Sequence, residues 1–333
     1  MTSKKTLAGS LVGLSTGLLL AVSALGGATA SSATSQDSTQ LQVTSTPVSS
    51  PQGYWTPDRM RAAVPGEVLA AKAVARQDAT DPSASVAVET GASTRIAGTA
   101  PQSPVTAALH VAEVPVKHIG KVFFTLGGVN FVCSGNAVTA TNRSLVATAG
   151  HCVNEGPGAF ATNWIFVPGY VDGRAPYGQW PARSLHAARN WTSNGDIRYD
   201  TGFAVVSRVR GRALADVVGA SGVEFGQPRG LTYKSYGYPA APPFTGQKLV
   251  SCKGTAHDDT INPQFKSQGI ACDMTGGSSG GPWFAQGGGT DANGAGGFQN
   301  SVNSYGYGTR STTMFGPFWG STIMKVYNSA QKK

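Results

Sequence analysis

Two adjacent serines, Ser278 and Ser279, lie among four glycines in the stretch 273–282, which reads DMTGGSSGGP. A flexible linker needs only small and polar residues of this kind. A catalytic serine needs, in addition, a histidine that acts as general base and a carboxylate that orients it. Whether the stretch is a linker or a catalytic loop therefore depends on where the histidines and acidic residues lie along the chain.

The chain contains five histidines, and all of them precede Ser279. This order excludes a lipase-type nucleophile elbow, although residues 277–281 match G-x-S-x-G, because α/β-hydrolases place the histidine after the serine. His151 is the best candidate for the base, since it follows the apolar run 145–149 and precedes Cys152, whose disulfide would fix the ring for proton transfer. The other histidines are expected at the surface: His110, His118, His186 and His257.

The carboxylate should lie between the base and the nucleophile. Asp200 comes just before the apolar run 203–206, which has the pattern of a buried strand. Asp196 is the alternative, but an isoleucine and a charged arginine follow it, which is more typical of a loop. We therefore predict that Asp200 orients the imidazole.

The residues TAGHC around His151 and GGSSGGP around Ser279 resemble the active-site motifs of the trypsin/chymotrypsin-like serine proteases, especially the secreted bacterial branch akin to glutamyl endopeptidases. The resemblance covers about residues 115–330. It implies two six-stranded antiparallel β-barrels with the active site between them. It also implies acyl transfer, in which Ser279 attacks a carbonyl, His151 moves the proton and Asp200 stabilises the imidazolium. Gly277 and Ser279 would supply the N–H groups of the oxyanion hole.

Three further positions take their expected roles from the resemblance. At the position of Ser278, trypsin-like relatives have an aspartate that pairs with the newly formed N-terminus, an ion pair that serine cannot form. Asp273, six residues before the nucleophile, lies where a trypsin-like pocket has its basal aspartate, which would favour Arg or Lys side chains. Asn303 lies in the pocket strand 301–306, where a glutamyl endopeptidase would have a histidine and this chain has none. Asp273 and Asn303 are therefore the candidates for the substrate pocket.

The chain changes character at about residue 111, where short β-rich runs separated by turn residues begin. No long helical pattern interrupts them before a short final helix near 322–330. This spacing is typical of a sandwich or barrel. It predicts an all-β mature region, which we divide into an N-terminal barrel, 106–215, and a C-terminal barrel, 216–333.

The first 105 residues have a different composition. Residues 1–30 combine two lysines, an apolar stretch and the small residues Ala28-Thr29-Ala30, a pattern of a cleavable signal peptide rather than of a membrane anchor. Residues 31–105 are mostly small and polar, with a short helical pattern after Thr56 and a second one that ends near Ala75. We predict a removable propeptide or linker, largely disordered with a short helix; a stalk that stays attached is the alternative.

Four cysteines in a chain with an export signal favour two disulfides, because no two of them have the close spacing of metal ligands. Three pairings are possible, and pairing of neighbours, Cys133 with Cys152 and Cys252 with Cys272, is the simplest. The stretch 133–135, Cys-Ser-Gly, also resembles the half-cystine strand of the family, which supports the first of these bridges.

The net charge of +9 comes from 26 basic and 17 acidic residues, which are scattered rather than clustered with aromatic residues. Binding to nucleic acid is therefore not expected. We expect a secreted, extracellular monomer that hydrolyses protein or peptide substrates without a cofactor or a metal, and without membrane contact after signal removal. A catalytically silent binding protein on the same fold and an extracellular esterase are the alternatives.

Overall fold

The computed structural model describes residues 43–48, 53–78, 89, 92–98, 110–285, 297–308 and 310–333. All of these belong to the unit Gln36–Lys333. The predicted signal peptide, 1–30, lies outside the described residues, as do parts of the predicted propeptide. Within the described ranges, we find no helix with the length and hydropathy needed to span a bilayer.

Short strands dominate the described residues, and helices are few, which confirms the predicted all-β class. The strands are, in chain order, β1 (Val43–Pro47), β2 (Val64–Pro65), β3 (Thr94–Ile96), β4 (Val111–Ala112), β5 (Ile119–Leu126), β6 (Val129–Val138), β7 (Leu145–Thr148), β8 (Thr162–Pro168), β9 (Trp180–Ala188), β10 (Gly202–Val206), β11 (Gly222–Phe225), β12 (Thr232–Gly237), β13 (Val250–Thr255), β14 (His257–Asp258), β15 (Gln268–Ala271), β16 (Pro282–Ala285), β17 (Phe298–Val302) and β18 (Thr313–Gly316). The α-helices are α1 (Pro57–Ala62), α2 (Glu67–Asp78), α3 (Arg189–Asn194), α4 (Leu214–Val218) and α5 (Ser321–Ala330).

Strands β5 to β10 form a closed antiparallel barrel. Their order is β9-β10-β7-β6-β5-β8, and pairing of β8 with β9 closes the ring. The hairpin between β5 and β6 turns at Gly127 and Gly128, whose φ values of +56° and +79° favour glycine. Large side chains fill the interior, among them the fully buried Trp164 and Trp180.

The C-terminal half contains a seven-stranded sheet, in the order β3-β11-β17-β16-β12-β13-β4, and a three-stranded sheet, β14-β15-β18. The disulfide Cys252–Cys272 ties β13 to the end of β15 and so links the two sheets. In these sheets, β11 and β17 pair in parallel, unlike the antiparallel arrangement that we predicted. The parallel pair is possible because a long connection, rather than a hairpin, joins these two strands. Together with the first barrel, these sheets form the predicted two-barrel architecture.

Two elements lie in the range predicted for one barrel but pack on the other. β4, which falls in the range predicted for the N-terminal barrel, pairs with β13 of the C-terminal sheet. The C-terminal helix α5, predicted for 322–330, begins at Ser321 and packs on the first barrel. Its Tyr327 ring lies 5.9 Å from the ring of Phe203, and the Tyr327 hydroxyl donates a hydrogen bond to the Thr139 carbonyl at 2.7 Å.

The described parts of residues 31–105 lie on both halves. β1 pairs with β9, β2 with β6, and β3 with β11. Helix α1 begins after Thr56, whose hydroxyl accepts a hydrogen bond from the Arg59 N–H at 3.3 Å, and Pro57 occupies the first helical position. Helix α2 begins at Glu67, four residues after Ala63. It buries apolar side chains in the core of the first barrel: Leu69, Ala70, Ala73 and Val74.

Candidate active site

His151 and Asp200 meet at the ends of two paired strands. His151 lies in the short 3-10 turn Gly150–Cys152 that follows β7, and Asp200 comes just before β10, which pairs with β7. The Asp200 Oδ2 atom accepts a hydrogen bond from His151 Nδ1 at 2.8 Å, and Oδ1 accepts one from the His151 backbone N–H at 2.8 Å. Both side chains are completely buried.

This geometry assigns different tasks to the two imidazole nitrogens. A carboxylate only accepts hydrogen bonds, so Nδ1 of His151 carries the proton that points at Asp200. Nε2 is buried and has no hydrogen-bond partner among the described residues. The Nε2 atom is therefore the nitrogen that can exchange a proton with a nucleophile or a leaving group.

Asp196, the alternative acid, is engaged elsewhere. Its carboxylate accepts hydrogen bonds from the Arg198 backbone N–H at 3.1 Å and from the Arg198 guanidinium at 2.5 Å. It also accepts one from Gln77 Nε2 at 3.2 Å. The structure thus brings Asp200, rather than Asp196, to His151.

A third group on the carboxylate escaped sequence analysis. Ser304, just past the end of β17, donates a 2.6 Å hydrogen bond from its hydroxyl to Asp200 Oδ2 and is buried. The only sequence signal for it was its position in the stretch 301–306, which we had considered for the substrate pocket alone. Asp200 is therefore held from both halves of the molecule.

Ser279 lies in the loop between β15 and β16, close to the histidine turn. Its carbonyl accepts a hydrogen bond from the Ser134 N–H at 2.7 Å and lies 3.9 Å from Cys152 Sγ. The disulfide Cys133–Cys152 joins the strand beside Ser279 to the turn that carries the histidine. The three predicted triad residues therefore lie together where the two halves meet.

The backbone of the same loop is arranged to present N–H groups. The Gly276 carbonyl accepts hydrogen bonds from the Ala240 and Ala241 N–H groups, so the N–H of Gly277 on the same peptide plane points the opposite way. Gly277 has φ +93°, a conformation that favours glycine. In the part of the chain that the structure describes, the N–H groups of Gly277 and Ser279 donate to no other residue. Two unengaged, neighbouring donors of this kind can bind an oxyanion.

Ser278 and Asn303 hold the Ser279 loop in place through hydrogen bonds on its buried side. The Ser278 hydroxyl donates to the Thr275 carbonyl at 2.7 Å and is nearly completely buried. The buried amide of Asn303 donates to the Ser278 carbonyl at 3.0 Å and to the Tyr236 carbonyl at 2.9 Å. Its oxygen accepts hydrogen bonds from Ser235 Oγ at 2.6 Å and Trp283 Nε1 at 2.7 Å.

Asp273 lies nearer the surface than Asn303. Its carboxylate contacts His110 Nδ1 at 2.8 Å, and both side chains are partly exposed. The His110 ring also packs edge-on against Phe244 at 5.2 Å between ring centroids. The two residues predicted for the substrate pocket therefore lie in different surroundings: Asp273 is partly exposed and contacts His110, whereas Asn303 is buried beneath the loop.

The prediction that the other histidines lie at the surface is wrong for His118 and His186. The His118 side chain is completely buried, with Nδ1 2.6 Å from Asn136 Oδ1. His186 is buried in β9, and desolvation lowers its pKa to about 4, with nearby Lys333 and Arg183 contributing in the same direction. His110 and His257 are exposed, as predicted.

The segment 64–67 lies over the site, which sequence analysis did not reveal. The Gly66 N–H donates to the Val132 carbonyl at 2.9 Å. The Glu67 carboxylate occupies the space next to Gly276, since a Cβ added there would overlap it. Burial raises the pKa of Glu67, and its own backbone N–H and the nearby His151 oppose that shift.

Comparison with solved structures gives relatives over about two thirds of the chain. Identity is 62% with the protease Anisep from Arthrobacter nicotinovorans, over 67% of this chain and 100% of that one, with a TM-score of 0.65. Identity is 47% with the thermostable serine protease AL20 from an extremophilic microorganism, over 66% and 98%, with a TM-score of 0.61. A Glu endopeptidase that is 19% identical, over 67% and 97%, has a TM-score of 0.52 and shows the fold alone. No family model matches the sequence.

One curated relative, an extracellular metalloprotease of Bacillus subtilis (strain 168), is 26% identical over 180 residues. The match covers 54% of each chain, so this chain spans about half the length of that relative. The one group of potential ligands found within the described residues does not suit a metal. Within the described ranges, the potential ligands that cluster are Cys133, His151 and Cys152, and both cysteines are bound in a disulfide rather than available as thiolates.

Identity of 62% along the full length of a solved protease is too high for a likeness of fold alone. The two halves of this molecule also meet at the His–Asp pair and the serine loop, as the sequence motifs indicated. The chain therefore belongs to the trypsin/chymotrypsin-like serine proteases and is a serine-type endopeptidase.

Proposed function

We propose that this endopeptidase is secreted and hydrolyses peptide bonds through a triad of His151, Asp200 and Ser279 and an acyl-enzyme. The observation that carries the proposal is the buried 2.8 Å hydrogen bond between His151 Nδ1 and Asp200 Oδ2, beside the Ser279 loop. The Ser279 hydroxyl attacks the carbonyl while His151 Nε2 takes its proton and returns it to the leaving amine. Water then cleaves the ester, with His151 again as the base. Asp200 fixes the tautomer and stabilises the imidazolium.

The oxyanion that forms during attack is bound by the N–H groups of Gly277 and Ser279. Support comes from the φ of +93° at Gly277 and from the two unengaged donors described above. Each such donor contributes about 3 kcal/mol to transition-state stabilisation in well-studied hydrolases. Most of that energy is gained only in the transition state, because the negative charge on the carbonyl oxygen develops there.

Secretion and maturation rest on the sequence and on the relatives. The signal pattern of residues 1–30 and the two disulfides suit an oxidising compartment. The Anisep chain is matched along its whole length by 67% of this chain, and residues 111–333 make up the same share. We propose that residues 31–105 are removed, and that Ser278 makes activation independent of a terminal ammonium group. Acetylation of the new N-terminus should then leave activity unchanged.

A peptide library tests the proposal directly. Cleavage by the processed protein should be lost in Ser279→Ala. It should be largely kept in Ser278→Ala, because the Ser278 hydroxyl donates to the Thr275 carbonyl rather than to a catalytic group. Equal cleavage by wild type and Ser279→Ala would eliminate Ser279 as the nucleophile. The cleaved sequences also report the preferred residue, and comparison with Asp273→Asn and Asn303→Ala tests the predicted roles of both residues in the pocket.

A further inference from the structure

We infer that residues 53–78 form an inhibitory segment that covers the active site of the full-length chain, with two helices as anchors and residues 64–67 as the bridge that crosses the cleft. The inference deepens the proposed function and rests on it, because it takes Ser279 as the nucleophile. It identifies which part of residues 31–105 blocks the site and which contacts hold it there.

The first anchor is the stretch around α1. Trp55 is 3% exposed, and its ring packs against Phe123 of β5 with 5.3 Å between ring centroids. Its indole N–H donates to the Asn163 carbonyl. Met60 joins the same apolar cluster and is also buried. Burial of a tryptophan and a methionine on the enzyme is typical of the few residues that dominate a binding interface.

The second anchor is helix α2. Its buried face, formed by Leu69, Ala70, Ala73 and Val74, is part of the main core of the first barrel. Near its C-terminal end, the Gln77 side chain accepts a hydrogen bond from the Ile197 N–H at 2.9 Å and donates one to the Asp196 carboxylate at 3.2 Å. Ile197 opens the 3-10 turn that leads directly to Asp200. The segment is therefore fixed on both flanks of the His–Asp pair.

The bridge lies on the catalytic groups themselves. Val64–Pro65 pairs in parallel with residues 131–132 of β6, and Gly66 follows with its N–H bonded to Val132. A Cβ placed on Gly66 would lie 2.6 Å from Cys133 Sγ and 3.8 Å from Cδ2 of His151. The Gly66 backbone thus rests against the disulfide and the imidazole, in space that a substrate would need.

Glu67 completes the cover on the opposite side of the cleft. Its carboxylate fills the space beside Gly276, the residue that precedes the proposed oxyanion donor Gly277. One carboxylate oxygen, Oε2, is buried and has no hydrogen-bond partner within the described ranges. A single short bridge therefore spans from the histidine of one half to the active-site loop of the other.

The hydrogen bonds of the bridge explain how it can cover the site without being a good substrate. The Gly66 carbonyl accepts a hydrogen bond from the Leu69 N–H at 2.9 Å. The residues that follow are helical, so their carbonyls are used inside α2. Attack by Ser279 on these carbonyls would require the first turn of α2 to open.

The test is reaction of Ser279 in the full-length chain with a fluorophosphonate probe. Ser279 Oγ forms a bond to phosphorus as fluoride leaves, and His151 accepts the proton. We expect the wild type to react slowly and Gly66→Ala about tenfold faster, because the added methyl meets a disulfide sulfur that cannot move aside. Lys72→Ala, which changes an exposed residue of α2, should react at the wild-type rate.

A double variant, Trp55→Ala with Met60→Ala, provides a second test if Gly66→Ala does not fold, as judged by its thermal unfolding. It should also react faster than the wild type. Equal rates for the wild type and a folded anchor or bridge variant would overturn the inference while leaving Ser279 as the nucleophile. Failure of every form to react, including protein from which residues 1–105 have been cleaved, would instead overturn the triad proposal and the inference with it.

Discussion

The Ser304 hydroxyl donates a 2.6 Å hydrogen bond to Asp200 Oδ2, the same oxygen that accepts from His151 Nδ1. Ser304 belongs to the C-terminal half, whereas the carboxylate and the imidazole belong to the first barrel. The orientation of the carboxylate thus depends on correct packing of the two halves, and not only on the barrel that carries it.

We predict that Ser304→Ala lowers kcat/KM about tenfold, mainly through kcat. A hydrogen bond to a charged group contributes about 2 kcal/mol, and this one holds the group that fixes the imidazole. Ser301→Ala is the matched control, because Ser301 is a buried serine nearby that donates to the Pro317 carbonyl instead. Equal kinetics for the two variants would show that Ser304 does not help to position the triad.

Gly277→Ala should lower kcat by about a hundredfold or more, because a Cβ would lie 2.8 Å from both Ala240 Cβ and the Tyr238 carbonyl and would turn the N–H away. Gly308→Ala controls for backbone strain. Gly308 has φ +76° and open space around its Cα, so it carries a similar conformational cost of about 1–2 kcal/mol without a clash. A similar loss of kcat in both variants would exclude a specific role for the Gly277 N–H.

Much of this arrangement could be predicted from sequence because it is local. The proposed base, the proposed nucleophile and the glycine proposed to present an oxyanion donor lie in two short stretches, 148–152 and 276–282, where neighbouring residues form recognisable motifs. Ser304 could not be found in this way, since it is 104 residues from its partner and an isolated serine has no pattern. The bridge 64–67 was missed for the same reason, because its meaning depends entirely on what it packs against.

Burial in the barrel was similarly hard to predict. Leu185, His186 and Ala187 are all buried, so the last part of β9 has no alternation of buried and exposed residues that would mark an inner face. A histidine among small residues therefore gave no sign that it lies in the interior. The parallel pairing of β11 with β17 could likewise not be predicted from the sequence, because parallel partners are far apart along the chain.

The two disulfides provide a matched pair, because they close loops with sequence separations of 19 and 20. Replacing either pair with serines should lower the free energy of unfolding by about 3 kcal/mol, as expected for loops of this length. Activity should fall much more for the Cys133–Cys152 variant, because this bridge joins β6, the strand beside Ser279, to the histidine turn. Denaturant unfolding and kcat/KM measure the two effects separately, and equal activity losses would contradict the positioning role.

The buried His186 should make the protein less stable in acid. Its folded pKa of about 4 lies below the ordinary value of 6.5, so the unfolded chain binds the proton more tightly. Stability is therefore lost as the pH falls from about 6.5 to about 4, by an amount on the order of 3 kcal/mol. Between these pH values, the free energy of unfolding of His186→Gln should depend less steeply on pH than that of the wild type. Identical slopes would contradict the assignment to His186.

Glu67 should make the cover over the active site sensitive to pH. Burial raises its pKa, so the covered state binds a proton more tightly than the uncovered state, and the cover weakens as the pH rises above the usual glutamate range. The groups that face it are its own backbone N–H and His151, with Asp200 behind the imidazole.

The measurement uses full-length chains, from the usual glutamate range upward in pH. The measured ratio is the rate at which the wild type reacts with the fluorophosphonate probe, divided by the rate for Glu67→Gln. Both proteins contain the same His151–Asp200 pair, so the effect of this pair on the rate cancels in the ratio. The ratio should increase with pH, because only the wild type loses cover. A constant ratio would mean that the Glu67 carboxylate does not contribute to the pH dependence.

Arg95 of β3 forms an ion pair at 2.6 Å with the buried Glu224 of β11. The amino-terminal region therefore also contacts the C-terminal sheet through opposite charges. Burial raises the pKa of Glu224, and Arg95 opposes that shift. Once residues 31–105 are cut away, the Glu224 carboxylate loses both this counter-ion and the strand that pairs beside it. Removal of the amino-terminal region would then leave β11 at the edge of the C-terminal sheet, with an acidic side chain that no longer has its basic partner.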